Sequence, residues 1–307
     1  MTAVALVGVT ASGKSETALR LARRRGDCEI VSVDSMCVYR GMDIGTSKPG
    51  PAARAAVPHH LLDLVGPEED FTVTRFQAAA RQALAGIERR GRHALLVGGT
   101  GLYLRAVVDD LAIPGRYPDV AAALEAELDE GRAGPADLHS RLAALDPVGA
   151  ARMEPTNRRR VVRALEVTLG AGKPFSDFGP GLDAYPAGGP AQVGLSLPPE
   201  EVDCRIAVRF GAMVEAGLVD EVRGLAARPE GMSRTARQAL GYRELLAHVE
   251  QGTDLERCTE EAIRRTRAFA RRQWSWHRRD PRVRWVRQDE DPAAVVGAAL
   301  AAVDSVR

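Results

Sequence analysis

The chain has 307 residues, 45% hydrophobic and 27% charged, which is enough to bury a substantial core and unlike the composition of a disordered protein. Lys and Arg number 42 against 41 Asp and Glu, so the net charge of +1 excludes a global charge bias as a guide to partners. Cys28, Cys37, Cys204 and Cys258 lie far apart with no C-x-x-C pair, which fits a reducing compartment and argues against a disulfide framework or a zinc finger. No apolar stretch approaches membrane-spanning length, and no charged segment precedes the first apolar run. No membrane partner and a cytoplasmic location are therefore expected.

In chain order, the first apolar run, VALVGV (4–9), breaks into Gly8-x4-Gly13-Lys14-Ser15 and then reads as helix. This is the P-loop pattern found in ATP-binding proteins. Its glycines turn backbone N–H groups onto phosphate oxygens, Lys14 adds a point charge, and Ser15 can ligate Mg2+. The next run, EIVSV (29–33), ends in Asp34-Ser35. Position alone leaves three roles open for Asp34: a metal ligand, a base facing a second substrate, or a cap or turn residue. His59 and His60 are adjacent and point apart in extended chain, with no third ligand at metal spacing, so a structural role is expected. HALLVGG (93–99) runs into Thr100, where a triphosphate-hydrolysing enzyme would carry a magnesium-holding Asp.

Two later runs, AQVGLSL (191–197) and RVRWV (282–286), complete a set of short strands with helical patterns between most of them. That alternation predicts an α/β fold, a P-loop-type parallel sheet flanked by helices, with ligands beyond the carboxyl ends of the strands. Residues 119–170 read as helices, and a Gly/Pro-rich stretch at 178–190 leads back to the sheet. We expect a helical insertion at 115–190 on a core formed by 1–114 and 191–307. From about residue 290 an Ala/Val-rich helix is expected to pack on that core.

Residues 264–284 hold nine arginines and one acid, Asp280. On a helix, Arg264, Arg267, Arg271, Trp274 and Arg278 fall along one face, and arginines with an interleaved aromatic suit an RNA loop. Trp276 is expected in the core. A second basic run, Arg158-Arg159-Arg160 with Arg163, lies on the insertion, where Val161, Val162 and Leu165 can face inward.

The segments GVTASGKSE, IVSVDSMCVYRGMDIGTSKP, PHHLLDLVGPEEDFTVTRFQ, LLVGGTGLYLRAV, NRRRVVRALEV, QALGYREL and TRAFARRQWSWHRRD occur in this order. Together they make the chain, from about residue 4 to residue 287, resemble the bacterial tRNA dimethylallyltransferases. The resemblance implies transfer of the allylic group of dimethylallyl diphosphate to the exocyclic amine of the adenosine 3′ of the anticodon, in tRNAs reading codons that begin with U. The loop phosphate would then be a leaving group and not an energy source.

Matched by motif, Gly8, Thr10, Ala11, Ser12, Gly13, Lys14, Ser15 and Arg209 would hold the donor diphosphate, with Mg2+ nearby. Thr100 would contact it near the bridging oxygen, and Asp34 would serve as general base. The tRNA contacts implied are Asp34, Ser35, Met36 and Cys37; Arg159, Arg160 and Arg163; Gln238, Gly241, Tyr242 and Arg243; and Arg271, Arg272, Gln273, Trp274 and Arg278. The two basic segments would clamp the anticodon stem-loop, and a monomer is expected. Many relatives carry Gln where this chain has Cys37, so a hydrogen bond to the target base is expected to be missing. Two competing readings are a P-loop kinase of a nucleotide or small metabolite, which leaves the arginine stripe idle, and a non-enzymatic RNA-binding protein whose loop senses nucleotide.

Overall fold

The computed structural model describes residues 3–287 and 290–304. Within them, β1 (Ala3–Gly8), β2 (Cys28–Val33), β3 (His59–His60), β4 (His93–Gly98), β5 (Ala191–Ser196) and β6 (Val283–Arg287) form one sheet. Its order is β3-β2-β4-β1-β5-β6, and every neighbouring pair is parallel. The helices of the sheet unit are α1 (Lys14–Arg25), α2 (Pro51–Ala56), α3 (Val73–Arg89) and α4 (Gly101–Val108). Those of the insertion are α5 (Pro118–Asp129), α6 (Pro135–Leu145), α7 (Pro147–Ala150) and α8 (Arg158–Ala171). The chain then continues with α9 (Pro199–Glu215), α10 (Leu218–Ala226), α11 (Arg234–Arg237), α12 (Tyr242–Gln251), α13 (Leu255–His277) and α14 (Pro292–Asp304).

The central strands read as unbroken apolar runs because both faces of the sheet are covered. Alternate residues serve opposite cores: Ala3, Ala5 and Val7 of β1 join one cluster with Leu96 and Phe76, while Val4 and Leu6 join another with Leu21, Leu95 and Leu195. The Ala/Val-rich α14 supplies Ala293, Val296 and Leu300 to the second cluster. The two-residue β3 was not expected as a strand. His60 Nε2 meets the buried carboxylate of Glu29 at 2.6 Å, and His59 Nδ1 lies 2.8 Å from the Val57 carbonyl, so both histidines have structural partners.

The chain divides into two compact units, residues 1–110 with 187–307, and residues 111–186. The edges expected near 115 and 190 therefore come about four residues earlier in the chain. The insertion has a core of its own, in which Val161, Val162 and Leu165 of α8 meet Leu124, Leu138 and Leu142.

β2, β4 and β1 lie side by side, so the chain segments leaving their carboxyl ends are brought together. Gly98, the last residue of β4, pairs with both Val7 and Val33. A Cβ added there would stand 2.0 Å from the Val33 carbonyl oxygen, a backbone atom that cannot step aside. Gly98→Ala should cost about 3 kcal/mol or prevent folding, as overpacking against backbone does. Chemical denaturation of the variant beside the native protein checks this, and a cost below about 1 kcal/mol would mean the strands can separate there.

Candidate active site

The segment between β1 and α1 folds back on itself through three residues in the left-handed region: Gly8 (φ 149°), Ala11 (φ 63°) and Gly13 (φ 84°). Gly8 must be glycine for space as well, since a Cβ would lie 2.9 Å from the Leu195 carbonyl oxygen. The turn leaves the first N–H groups of α1 with no side-chain cap at Gly13. Free N–H groups at a helix start, backed by the helix dipole, are a ready anion cradle.

Lys14 reaches back under this loop. Its Nζ donates to the Val9 carbonyl at 2.5 Å and lies 3.4 Å from Ser12 Oγ, and the residue is only 9% exposed. Burial, together with the charge of Arg209, pushes the Lys14 ammonium down to about 7, while Asp34 pulls it back up. Arg209, on α9, donates to Thr10 Oγ1 at 2.6 Å, and burial lowers its pKa as well. Ser15 leaves its hydroxyl at an exposed position.

Asp34 and Thr100 occupy the neighbouring strand ends. Asp34 Oδ1 accepts the Met36 N–H at 2.8 Å, a turn-forming bond that occupies one of its two oxygens. Thr100 precedes α4 without capping it, and its hydroxyl accepts the Ser35 N–H at 3.4 Å. The charge of Asp34 acts on both Lys14 and Arg209, so the three groups lie within electrostatic reach of one another.

The loop after Asp34 is held from below. The Glu221 carboxylate accepts the N–H groups of Asp43, Ile44 and Gly45 at 3.0, 2.8 and 3.3 Å, and the Tyr242 hydroxyl at 2.5 Å. Lys48, its side chain 1% exposed, donates to the Tyr39 carbonyl and to Asp43 and Asp63. Neither Glu221 nor Lys48 was foreseen from the sequence. Only the fold brings α10 beneath residues 43–45.

Several residues expected to touch RNA are placed otherwise. Tyr242 is fully buried against Glu221, so its part is to support the loop. Cys37 is buried with Sγ 3.8 Å from the Thr46 carbonyl, and burial holds the thiol in its neutral form. Gly241 is buried where it caps α12, its N–H donating to Glu244 at 2.9 Å. Gln273 is buried between Thr10 and Gly99. In the insertion, Arg163 donates to the carbonyls of Pro114 and Gly115 and pairs with Glu166, and Arg158 pairs with Glu125 and Asp129. Arg159 and Arg160 stay exposed.

The arginine stripe of α13 divides in the same way. Arg267 donates to the Asp203 carbonyl at 3.1 and 3.3 Å, Arg264 pairs with Glu261, and Arg271 meets Asp203 at 3.3 Å. Arg272 and Arg278 are exposed with no ion pair among the described residues, as are Gln238 and Arg243. Trp274 is 37% exposed and packs against Trp285, with ring centroids 4.5 Å apart and planes tilted by 57°. Trp276 lies against the start of α4, where a Cβ on Gly101 would fall 2.1 Å from its Nε1.

A central parallel strand feeding Gly8-x4-Gly13-Lys14-Ser15 into a helix, with Asp34 and Thr100 on the adjoining strand ends, defines a P-loop protein of the α/β class. A family described as IPP transferase matches residues 37–280. A tRNA dimethylallyltransferase of Kineococcus radiotolerans is 49% identical over 288 residues, covering 92% of this chain and 90% of the relative. One of Streptomyces coelicolor is 47% identical over 284 residues, covering 92% and 89%. Among solved structures, the full-length tRNA isopentenylpyrophosphate transferase of Bacillus halodurans superposes with a TM-score of 0.69 at 35% identity, covering 99% of this chain and 98% of that one. A eukaryotic dimethylallyltransferase acting on tRNA gives a TM-score of 0.75 at 26% identity, covering 93% and 73%. The chain belongs to the IPP transferase family, the family of tRNA dimethylallyltransferases. Membership displaces the kinase and the purely RNA-binding readings of the loop.

For an anion bound in this loop, the buried Lys14 would make the affinity pH-dependent. Below about 7 the ammonium is already charged in the free protein; above it, an arriving anion must also recapture a proton. The advantage of the native protein over Lys14→Met in binding inorganic diphosphate should thus be constant below pH 7 and shrink by up to about tenfold per unit above it. Calorimetric titration of both proteins at matched pH cancels the ionisation of the ligand. A ratio independent of pH would mean Lys14 is charged throughout.

Proposed function

We propose that this chain transfers the dimethylallyl group of dimethylallyl diphosphate to the exocyclic amine of the adenosine 3′ of the anticodon in tRNAs reading codons that begin with U. The observation that carries this reading is the meeting of Lys14, Thr100 and Asp34 at three adjacent strand ends, with Arg209 reaching in from α9. An anion cradle and a carboxylate share one cleft, as a diphosphate leaving group and an amine that must shed a proton require.

An adenine amine is a poor nucleophile and a very weak acid, whereas an allylic diphosphate ionises readily once its departing charge is met. Lys14, Arg209, the loop N–H groups and the Thr100 hydroxyl would stabilise that charge as the carbon–oxygen bond breaks. The amine nitrogen forms the new bond to carbon, and Asp34 takes the proton it loses. Because the amine is already being alkylated, an ordinary carboxylate suffices as base. The only candidate magnesium ligand in the loop is the exposed Ser15 hydroxyl, and no cluster of three His, Cys, Asp or Glu exists among the described residues. That donor set fits Mg2+ held mainly by substrate phosphates and water. Such an ion would add positive charge at the leaving group.

The target base sits in an anticodon loop and has to be flipped out to reach Asp34, at a cost of a few kcal/mol. That cost calls for a broad grip on RNA. Arg272, Arg278 and Arg243, with the exposed face of Trp274, are among the groups of the sheet unit open to it, and Arg159 and Arg160 among those of the insertion. No helix among the described residues is long and apolar enough to cross a membrane, and we place the reaction in the cytoplasm, where tRNA and donor meet.

Incubation with unmodified tRNA, dimethylallyl diphosphate and Mg2+ should yield N6-isopentenyladenosine and release diphosphate. Release of ADP from ATP without RNA, and no modified nucleoside, would overturn the reading. Asp34→Asn, which keeps the turn to Met36, should lower kcat by about 10²–10⁴-fold while tRNA affinity stays within about threefold; a nearly unchanged kcat would remove Asp34 from the chemistry.

The two classes of arginine should separate in a salt series. Replacing Arg272 and Arg278 with Ala should weaken tRNA binding and make the dependence of log affinity on log salt shallower by about 0.7 for each phosphate no longer neutralised. Arg267→Ala should leave that slope unchanged and lower thermal stability, because its guanidinium holds α9 through the Asp203 carbonyl. The opposite pattern would place the RNA on the buried edge of the stripe.

A further inference from the structure

The inward stripe of α13 runs through Cys258, Ala262, Thr266 and Ala270 and then changes character, ending in two buried polar residues, Gln273 and His277, one turn apart. Gln273 Oε1 accepts the Thr10 N–H at 2.8 Å, and Nε2 donates to the Gly99 carbonyl at 3.0 Å. An N–H can only donate and a carbonyl only accept, so the two partners fix which way the amide faces. His277 Nε2 lies 3.3 Å from the same carbonyl and is its second donor. Gly99 admits this approach because it lacks a side chain: a Cβ would stand 2.3 Å from Gln273 Nε2 and 3.0 Å from the Gly8 carbonyl oxygen.

The position of this bridge matters. The β1–β4 ladder ends with Val7 opposite Gly98. Beyond that rung the phosphate loop and the segment carrying Thr100 go their own ways, with no backbone hydrogen bond between them among the described residues. The Gln273 amide offers one donor and one acceptor in the gap, as the peptide group of an intervening strand would. Thr10 is then held twice, through its backbone by Gln273 from α13 and through its hydroxyl by Arg209 from α9.

We propose that Gln273 is a positioning residue of the donor site, a surrogate peptide that sets the separation between the Lys14 loop and Thr100, with His277 steadying the shared Gly99 carbonyl. The inference rests on the function proposed above. It also places the donor clasp on the same turns of α13 whose outer face exposes Arg272, Trp274 and Arg278.

Gln273→Met keeps the length of the side chain and removes both hydrogen bonds, and Gln273→Asn keeps both polar groups one methylene short of their partners. The measurements are the affinity for inorganic diphosphate with Mg2+, donor KM and kcat at saturating tRNA, and tRNA affinity, all on the full chain. Gln273→Met should lose about tenfold or more in diphosphate affinity and in kcat/KM for the donor, the scale set by leaving buried partners unmet. Gln273→Asn should fall between it and the native protein, and tRNA affinity should change less than about threefold in both. Lost tRNA affinity with normal diphosphate binding would make Gln273 an RNA-binding residue and overturn the proposal. Lowered thermal stability with unchanged donor and tRNA parameters would reduce it to packing. Failure of the native chain itself to bind diphosphate would instead overturn the function on which the clasp depends.

Discussion

Two cations, Lys14 and Arg209, are held in one cleft whose nearest opposing charge is the single carboxylate of Asp34. The charge of Arg209 lowers the proton affinity of Lys14, and burial lowers that of both groups. Such a cleft is incomplete without a polyanion. Much of the surrounding architecture serves to hold it open in that condition: the left-handed turns at Gly8, Ala11 and Gly13, the bond from Arg209 to Thr10, and the bond from Lys14 to the Val9 carbonyl. A diphosphate entering there would exchange weak internal partners for strong, charge-assisted ones.

The same logic governs the loop that follows Asp34. Three successive N–H groups at 43–45 converge on the Glu221 carboxylate, and the Lys48 ammonium gathers a carbonyl and two carboxylates from beneath. The loop after Asp34 is thus shaped by charged groups packed against it. Buried charges with full sets of partners fix geometry more than they add stability. That is what a site needs if a base brought from outside is to meet Asp34 in one orientation.

α13 shows how one helix divides its labour by angle. Its buried stripe reaches Thr10 and Gly99 through Gln273 and His277; the edge of the stripe ties α13 to α9 through Arg267 and Asp203; its outer face leaves Arg272 and Arg278 in solvent. Arginine content alone does not separate these roles, because a guanidinium donates equally well to a carbonyl, a carboxylate or a phosphate.

The parallel sheet, the phosphate loop and the family are legible in the order of amino acids, since these depend on local patterns: apolar runs of strand length, glycines at set spacing, and motifs in fixed order. The positions of Asp34 and Thr100 at strand ends were legible for the same reason, as was the inward face of α8 at Val161, Val162 and Leu165. Which side chains face outward is set by how the elements pack. Tyr242, Gln273, Arg163 and Arg267 lie in motifs or basic runs that read as RNA-facing, yet each is committed to a partner distant in sequence or to a backbone carbonyl. Glu221 and Lys48 carried no signal at all, because a carboxylate beneath three backbone N–H groups exists only once α10 has packed under residues 43–45. Short-range patterns encode the backbone. The pairing of a long polar side chain depends on what the fold brings within about 3 Å of its tip, and no spacing along the chain records that distance.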